Sequence, residues 1–245
     1  MSSNSKKQSL IYSLDRKLEI VISRPILFLS IIGIIGLIIR LAYFPYGIPI
    51  TLDGSGYFWY AIDTSVQGYF PASDCGWRCT FPNNGWPALL SGFFVFLNSN
   101  NFMDYMNMQR LVSVVISVLT IIPVYLLCSR VVNKKYAVFG AALLVLNPRI
   151  IQNSVLGITE PLFVLTFVIA LFLFLGNSKR SIYASFGVAA ICSLIRYEGL
   201  LLLIPFSIMF FIRFRKEKKV ILRYIVALSI FALIALPMAY VRVET

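Results

Sequence analysis

The side chains able to do chemistry in this sequence are carboxylates and guanidinium groups, because the chain has no histidine and only four cysteines. Ser–His and Cys–His catalysis are therefore closed, and a thiol or imidazole metal site lacks its ligands. Proton transfer falls to an aspartate or glutamate, and anion binding to arginine. Four short polar insertions in an apolar sequence carry these groups: Asp53-Gly-Ser-Gly56, Asn147-Pro-Arg-Ile-Ile-Gln-Asn-Ser154, Thr159-Glu-Pro161 and Arg196-Tyr-Glu-Gly199. Ionisable groups at the edge of apolar spans are costly to place and are by default candidates for function.

Each insertion also has a plain structural reading. Asp53 or Ser55 can cap the helix that follows, and Pro148 can simply end a helix. Thr159, Glu160 and Pro161 have the order of a helix start, and Arg196 and Glu198 can pair at a membrane boundary. The functional alternatives are Asp53 as general base, within roughly 2.6–3.2 Å of a reacting hydroxyl, and Arg196 as a two-pronged phosphate ligand oriented by Glu198. Arg110 and Arg149 are the next phosphate candidates, and Glu160, Glu198 and Asn147 are substrate-positioning candidates. Asp53 and Glu160 are the carboxylates open to a divalent cation, which the sequence does not require. Asp63 reads as a surface acid.

The elements that must position these groups are membrane helices. The chain of 245 residues is 59% hydrophobic, with mean hydropathy +0.83, which sets it outside the soluble globular class. Apolar runs near 26–44, 111–128, 136–148, 160–176, 182–196, 198–212 and 220–240 predict seven spans, several shorter than the about 20 residues a simple span takes. The first reads as an uncleaved signal anchor. Trp86–Leu97 is another apolar run, but at ~1.5 Å per residue it reaches only about 18 Å, and is expected to lie in the interface or pack on the bundle.

Charge fixes the expected orientation. With the N-terminus inside, the inner segments collect the lysines and many arginines, including Lys134, Lys135, Lys179, Arg180, Lys216, Lys218 and Lys219; a span at 86–97 would put the later clusters outside, against the positive-inside bias. The net charge of +12 is thus a topology signal and does not point to nucleic acid. The outer segments hold Asp53, Asp63, Asp74, Asp104, Glu160, Glu198 and Glu244, and their basic residues are all arginine: Arg40, Arg78, Arg110, Arg149, Arg196 and Arg242. Arginine is the fork-shaped phosphate ligand, so this asymmetry points to phosphate chemistry on the outer face. The expected organisation is a basic cytoplasmic tail, 1–24, then a membrane module, 25–245, with a long outer loop at 45–110. That loop is predicted to carry helices over Ser55–Gln67 and Trp86–Leu97. Cys75 and Cys79 are placed for a short-range disulfide in an oxidising compartment, a pairing the spacing leaves open; Cys128 and Cys192 read as packing residues.

The succession of motifs resembles the GT-C superfamily of membrane glycosyltransferases, near its protein O-mannosyltransferase and aminoarabinose-transferase branch. The matching elements are Leu52-Asp53…Tyr57, Asn84-Gly-Trp-Pro-Ala-Leu-Leu90, Gln109-Arg-Leu111, Leu146-Asn-Pro148, Thr159-Glu-Pro-Leu-Phe163 and Arg196-Tyr-Glu-Gly-Leu200, over roughly residues 20–212. The resemblance implies an all-α module of about seven spans with a partly helical first outer loop. It implies transfer of a sugar from a polyprenyl-phosphate donor to a protein or glycolipid acceptor, with inversion, the loop aspartate Asp53 as base and Tyr57 beside it. Many relatives carry a second acid after the aspartate, where this chain has Gly54, which weakens any metal role. Relatives also continue into further spans, so the chain reads as a fragment or a minimal version. The competing expectations are a transporter or flippase of lipid-linked sugar, and a partial module completed by further chain or a partner. A cell membrane and an endoplasmic reticulum membrane are alike from these residues.

Overall fold

The computed structural model describes residues 24–50, 53–68, 84–97 and 99–243, with side chains as far as Pro237. The described residues form helices and connectors only: α1 (Pro25–Ala42), α2 (Asp53–Gln67), α3 (Gly85–Phe94), α4 (Phe102–Leu119), α5 (Ile121–Val131), α6 (Lys134–Val145), α7 (Pro148–Leu156), α8 (Glu160–Phe174), α9 (Lys179–Ile195), a 3₁₀ turn (Tyr197–Leu202), α10 (Leu203–Phe214) and α11 (Val220–Val243). The tail, Asp74, Cys75, Arg78, Cys79 and Glu244 lie outside the described residues, as does the Arg242 side chain.

Four segments are long and apolar enough to cross a membrane: Pro25–Ala42, Phe102–Val131, Tyr197–Phe214 and Val220–Pro237. A fifth arises if α6 and α7, bent by 48° at Leu146-Asn147, count as one span. The remaining two of the seven expected spans, read near 160–176 and 182–196, form helices too short to count as simple spans. α8 has 15 residues and α9 has 17, about 22 and 26 Å of helix against a hydrocarbon core of about 30 Å. α9 is further diluted at its start by Lys179, Arg180 and Ser181.

Local chemistry sets the helix ends. Asn101 accepts from Met103 N to start α4, Asn133 from Lys135 N to start α6, and Pro148 and Pro161 occupy first turns where a missing N–H costs nothing. α7 stops at Gly157, whose φ of +72° is left-handed, a conformation glycine adopts without a Cβ penalty.

Three apolar clusters bind the helices. Phe174, Phe186, Phe206 and Phe210 join α8, α9 and α10, with Phe174 and Phe206 stacked at 4.1 Å. Leu29, Ile32, Ile121, Val124 and Val145 join α1, α5 and α6. Phe58, Trp86, Leu90, Phe94 and Val112 seat α2 and α3 on α4. The short apolar segment after Trp86 therefore packs on the bundle with Trp86 and Leu90 fully buried.

Candidate active site

Three helix ends meet at the end of the bundle that carries α2 and α3: the start of α2, the start of α8, and the turn after α9. The turn is compact because Gly199 lets it press on α9. Gly199 N donates to Arg196 O at 2.9 Å, and a Cβ at Gly199 would stand 2.6 Å from the Cys192 carbonyl carbon and Ser193 N. That curl folds Glu198 back on Arg196.

Arg196 is held from two sides. Its Nη2 donates to Glu198 Oε1 at 2.8 Å, with Nε at 3.3 Å from both Glu198 oxygens, and its Nη1 donates to Glu160 Oε1 at 2.8 Å. A longer contact of 3.5 Å reaches Thr159 Oγ1. Thr159, which the sequence offers as a helix cap, makes no side-chain cap bond; it is buried and meets the Tyr57 hydroxyl instead. Burial pushes the Tyr57 phenol pKa upward; Arg196 and the Thr159 bond pull it back, and Asp53 and Glu160 push it up. Tyr57 thus links α2 to the Arg196 cluster and lies in the fields of Asp53, Glu160 and Arg196 together.

Asp53 opens α2, exposed, where a carboxylate suits the helix dipole. Among the described residues no hydrogen-bond donor engages it. Glu160 faces both ways: Oε1 serves Arg196, while Oε2 is buried with no protein partner beside a cavity of about 90 Å³ shared with Ser117, Thr120 and Asn153.

The other sequence candidates are placed differently. Arg110 is buried and its Nη1 donates to Pro45 O at 3.2 Å and Ile48 O at 2.7 Å, so its guanidinium clamps the segment leading to α2. Asn147 is spent as a cap, its Oδ1 accepting from Arg149 N at 2.9 Å and Ile150 N at 3.4 Å. Arg149 is exposed in the first turn of α7, next to Ile150, which lines the Glu160 cavity. At Gly54 a Cβ would come within 2.5 Å of Ile50 Cγ2, so any larger residue there requires Ile50 to shift. Among the described residues no group of three or more Asp, Glu, His or Cys side chains gathers to hold a metal.

Two supports escaped sequence reasoning. Gln109 Nε2 donates to Gly54 O at 3.1 Å and Gly157 O at 2.7 Å, with Trp86 Nε1 also on Gly157 O at 3.3 Å; this knot ties the start of α2 to the end of α7. Arg40, fully buried, donates to Gly36 O, Val145 O, Ser117 Oγ and Ser154 Oγ at 2.9–3.1 Å. The available signal was the buried polar row Gln109, Ser113, Ser117 and Thr120, recurring at steps of four, four and three along α4 and its end.

The family model for dolichyl-phosphate-mannose-protein mannosyltransferase matches residues 88–240. The chain belongs to that family. It is accordingly a multi-pass, all-helical membrane protein of a mannosyltransferase-like glycosyltransferase family. The match takes in Glu160, Arg196 and Glu198 but starts beyond Asp53 and Tyr57. No curated protein and no solved structure matches the chain.

Proposed function

We propose that the protein transfers a sugar from a polyprenyl-phosphate donor to an acceptor hydroxyl or amide on the outer or luminal membrane face, with inversion at the anomeric carbon. The observation that carries this reading is the meeting of Asp53, Tyr57, Glu160 and Arg196 at three helix ends, within a chain of this family. The acceptor oxygen or nitrogen forms a bond to the anomeric carbon as the bond from that carbon to the phosphate oxygen breaks. The acceptor proton passes to the Asp53 carboxylate, and the departing phosphate keeps the electron pair. Asp53 suits the base because it is exposed to an incoming acceptor and is not consumed by a described partner.

Arg196 serves the leaving phosphate, where charge grows as the bond breaks. Glu160 and Glu198 fix the plane of its guanidinium, and Tyr57 holds Asp53 and Arg196 in one frame through Thr159. Of the five N–H groups of the guanidinium, the carboxylates take three at 2.8–3.3 Å, which leaves donors for phosphate oxygens.

The test is purified protein in lipid with labelled polyprenyl-phosphate sugars and a panel of acceptors. Transfer by the wild type is expected, with Asp53→Asn abolishing turnover while retaining donor binding. Absence of both transfer and donor binding across the panel would overturn the assignment; transport of the lipid unaffected by Asp53→Asn would replace it with a flippase.

A further inference from the structure

The cavity beside Glu160 has bonding capacity that the phosphate cluster does not use. It holds about 90 Å³ between α4, α6, α7 and α8, and four polar residues line it: Ser117, Thr120, Asn153 and Glu160. The rest of its lining is apolar, Leu144, Ile150 and Val164 among it. Each polar group has a definite remainder to offer. Glu160 Oε1 serves Arg196, while Oε2 is a buried acceptor with no protein partner. Thr120 gives its hydroxyl hydrogen to Ile116 O at 2.8 Å, so toward a ligand it can only accept. Ser117 Oγ accepts from Arg40 Nη2 at 2.9 Å, which leaves its own hydrogen to donate. Among the described residues no hydrogen bond engages the Asn153 side chain, whose amide both donates and accepts. The cavity therefore presents acceptors and donors together, with a carboxylate on one side and Ser117 carrying the Arg40 guanidinium on another.

We propose that this cavity reads the hydroxyl edge of the donor's sugar and selects an uncharged ring bearing adjacent hydroxyls. The identity of the donor rests on the proposed function. A phosphate on Arg196 lies beside Glu160, because the two side chains bond directly, and the sugar hangs from that phosphate by a single oxygen. Adjacent hydroxyls donate to Glu160 Oε2 and Thr120 Oγ1 and accept from Ser117 and Asn153, while the apolar lining meets ring C–H groups. The volume suits one edge of a ring, well below the roughly 300–1,000 Å³ of sites that enclose a ligand whole. Charged sugars fit worse. An ammonium at that edge brings donors only, leaves Ser117 and Asn153 without an acceptor, and meets the field of Arg40. A carboxylate brings acceptors only and faces the unpartnered oxygen of Glu160. Buried polar groups left unmet cost more than a made bond gains, so selection works mainly by rejection. Ser117, Thr120 and Asn153 are thus specificity-determining residues.

The test is equilibrium binding to the full chain in lipid, which needs no turnover. The probes are polyprenyl phosphates bearing mannose or glucose, their singly deoxygenated series, an amino-sugar and a uronic-acid counterpart, and bare polyprenyl phosphate. One neutral hexose donor is expected to bind about tenfold or more tightly than bare polyprenyl phosphate, and loss of either hydroxyl of one adjacent pair to cost about tenfold. Both charged counterparts should bind more weakly than that hexose donor by a similar factor. Thr120→Val and Asn153→Leu should each make one deoxygenated donor bind as well as its parent, the signature of a direct pairing. Wild-type affinity of both variants for bare polyprenyl phosphate shows that they are folded. A wild type that binds neither hexose donor better than bare polyprenyl phosphate overturns the inference, as do equal binding of charged sugars and full discrimination by the folded variants. Sugar transfer without such discrimination sinks this inference alone; discriminating binding without transfer sinks the proposed reaction alone.

Discussion

Replacing Arg40 should reverse the usual ranking of conservative and radical substitutions. The guanidinium is fully buried and ties α1 to α4, α6 and α7 through Ser117, Val145 and Ser154 at 2.9–3.1 Å, with no carboxylate among these partners. Burying a cation costs several kcal/mol, and the fork recovers it by serving acceptors on three helices at once. One of them, Val145 O, is a carbonyl at the end of α6 that has no next turn to bond. Arg40→Met removes the charge and its cost but orphans the Val145 carbonyl and Ser117, at roughly 1–3 kcal/mol each; the net expected loss is about 2 kcal/mol. That corresponds to a drop of about 4–8 °C in Tm for a chain of this size. Arg40→Lys keeps the buried charge while one ammonium on a flexible stem cannot satisfy three helices, so it should be less stable than Arg40→Met. Thermal unfolding in matched detergent measures the order: wild type, then Met, then Lys. A lysine variant at or above the methionine variant would refute the argument that fork geometry, rather than charge, justifies this residue.

Gly199→Ala should destabilise the protein and cut turnover, because its methyl would collide with α9 backbone atoms at 2.6–2.8 Å; unfolding and single-turnover measurements check both. Gly54→Glu should not create a metal-dependent enzyme, since any Cβ there strikes Ile50; the check is that chelators leave the remaining activity of the folded variant unchanged. Tyr57, held protonated by burial, contributes stability that is complete below the ordinary phenol pKa of about 10 and is lost as pH rises past it. Tyr57→Phe should therefore show a shallower loss of stability than the wild type above that pH, measured by unfolding across a pH series.

The sequence made the helical class legible through the lengths of its apolar runs, and the candidate site through polar insertions in them. Helix lengths were less legible, because a composition window cannot register how far a helix bends or is shielded by neighbours. The 48° bend at Leu146-Asn147 falls where Asn147 caps α7 and Pro148 occupies its first turn, a local break inside a segment whose composition stays apolar. Side-chain roles divided along the same line. Glu160, Arg196 and Glu198 meet because helix ends bring them together, as their position in the insertions suggested. Gln109 and Arg110 looked equally polar in sequence, yet their partners are backbone carbonyls far along the chain. No local pattern tells a guanidinium that will meet a ligand from one that will hold a loop.

The charge balance of the site separates capture of the donor from bond cleavage. One guanidinium faces two carboxylates at Arg196, so the cluster offers little net attraction to a donor phosphodiester before reaction. On the proposed reaction its value rises when the anomeric bond breaks and the phosphate gains a second negative charge, which is stabilisation specific to the transition state. Arg149 is the complementary cation: exposed, near the same cavity through Ile150, and suited to attract the donor in its ground state. Arg196→Lys should then lower kcat with a small change in KM, and Arg149→Ala should raise KM with kcat nearly kept. Donor titrations of both variants, inserted in lipid, resolve the split. If Arg196→Lys changes only KM, the two carboxylates do not reserve the guanidinium for the departing phosphate, and Arg196 is a ground-state ligand.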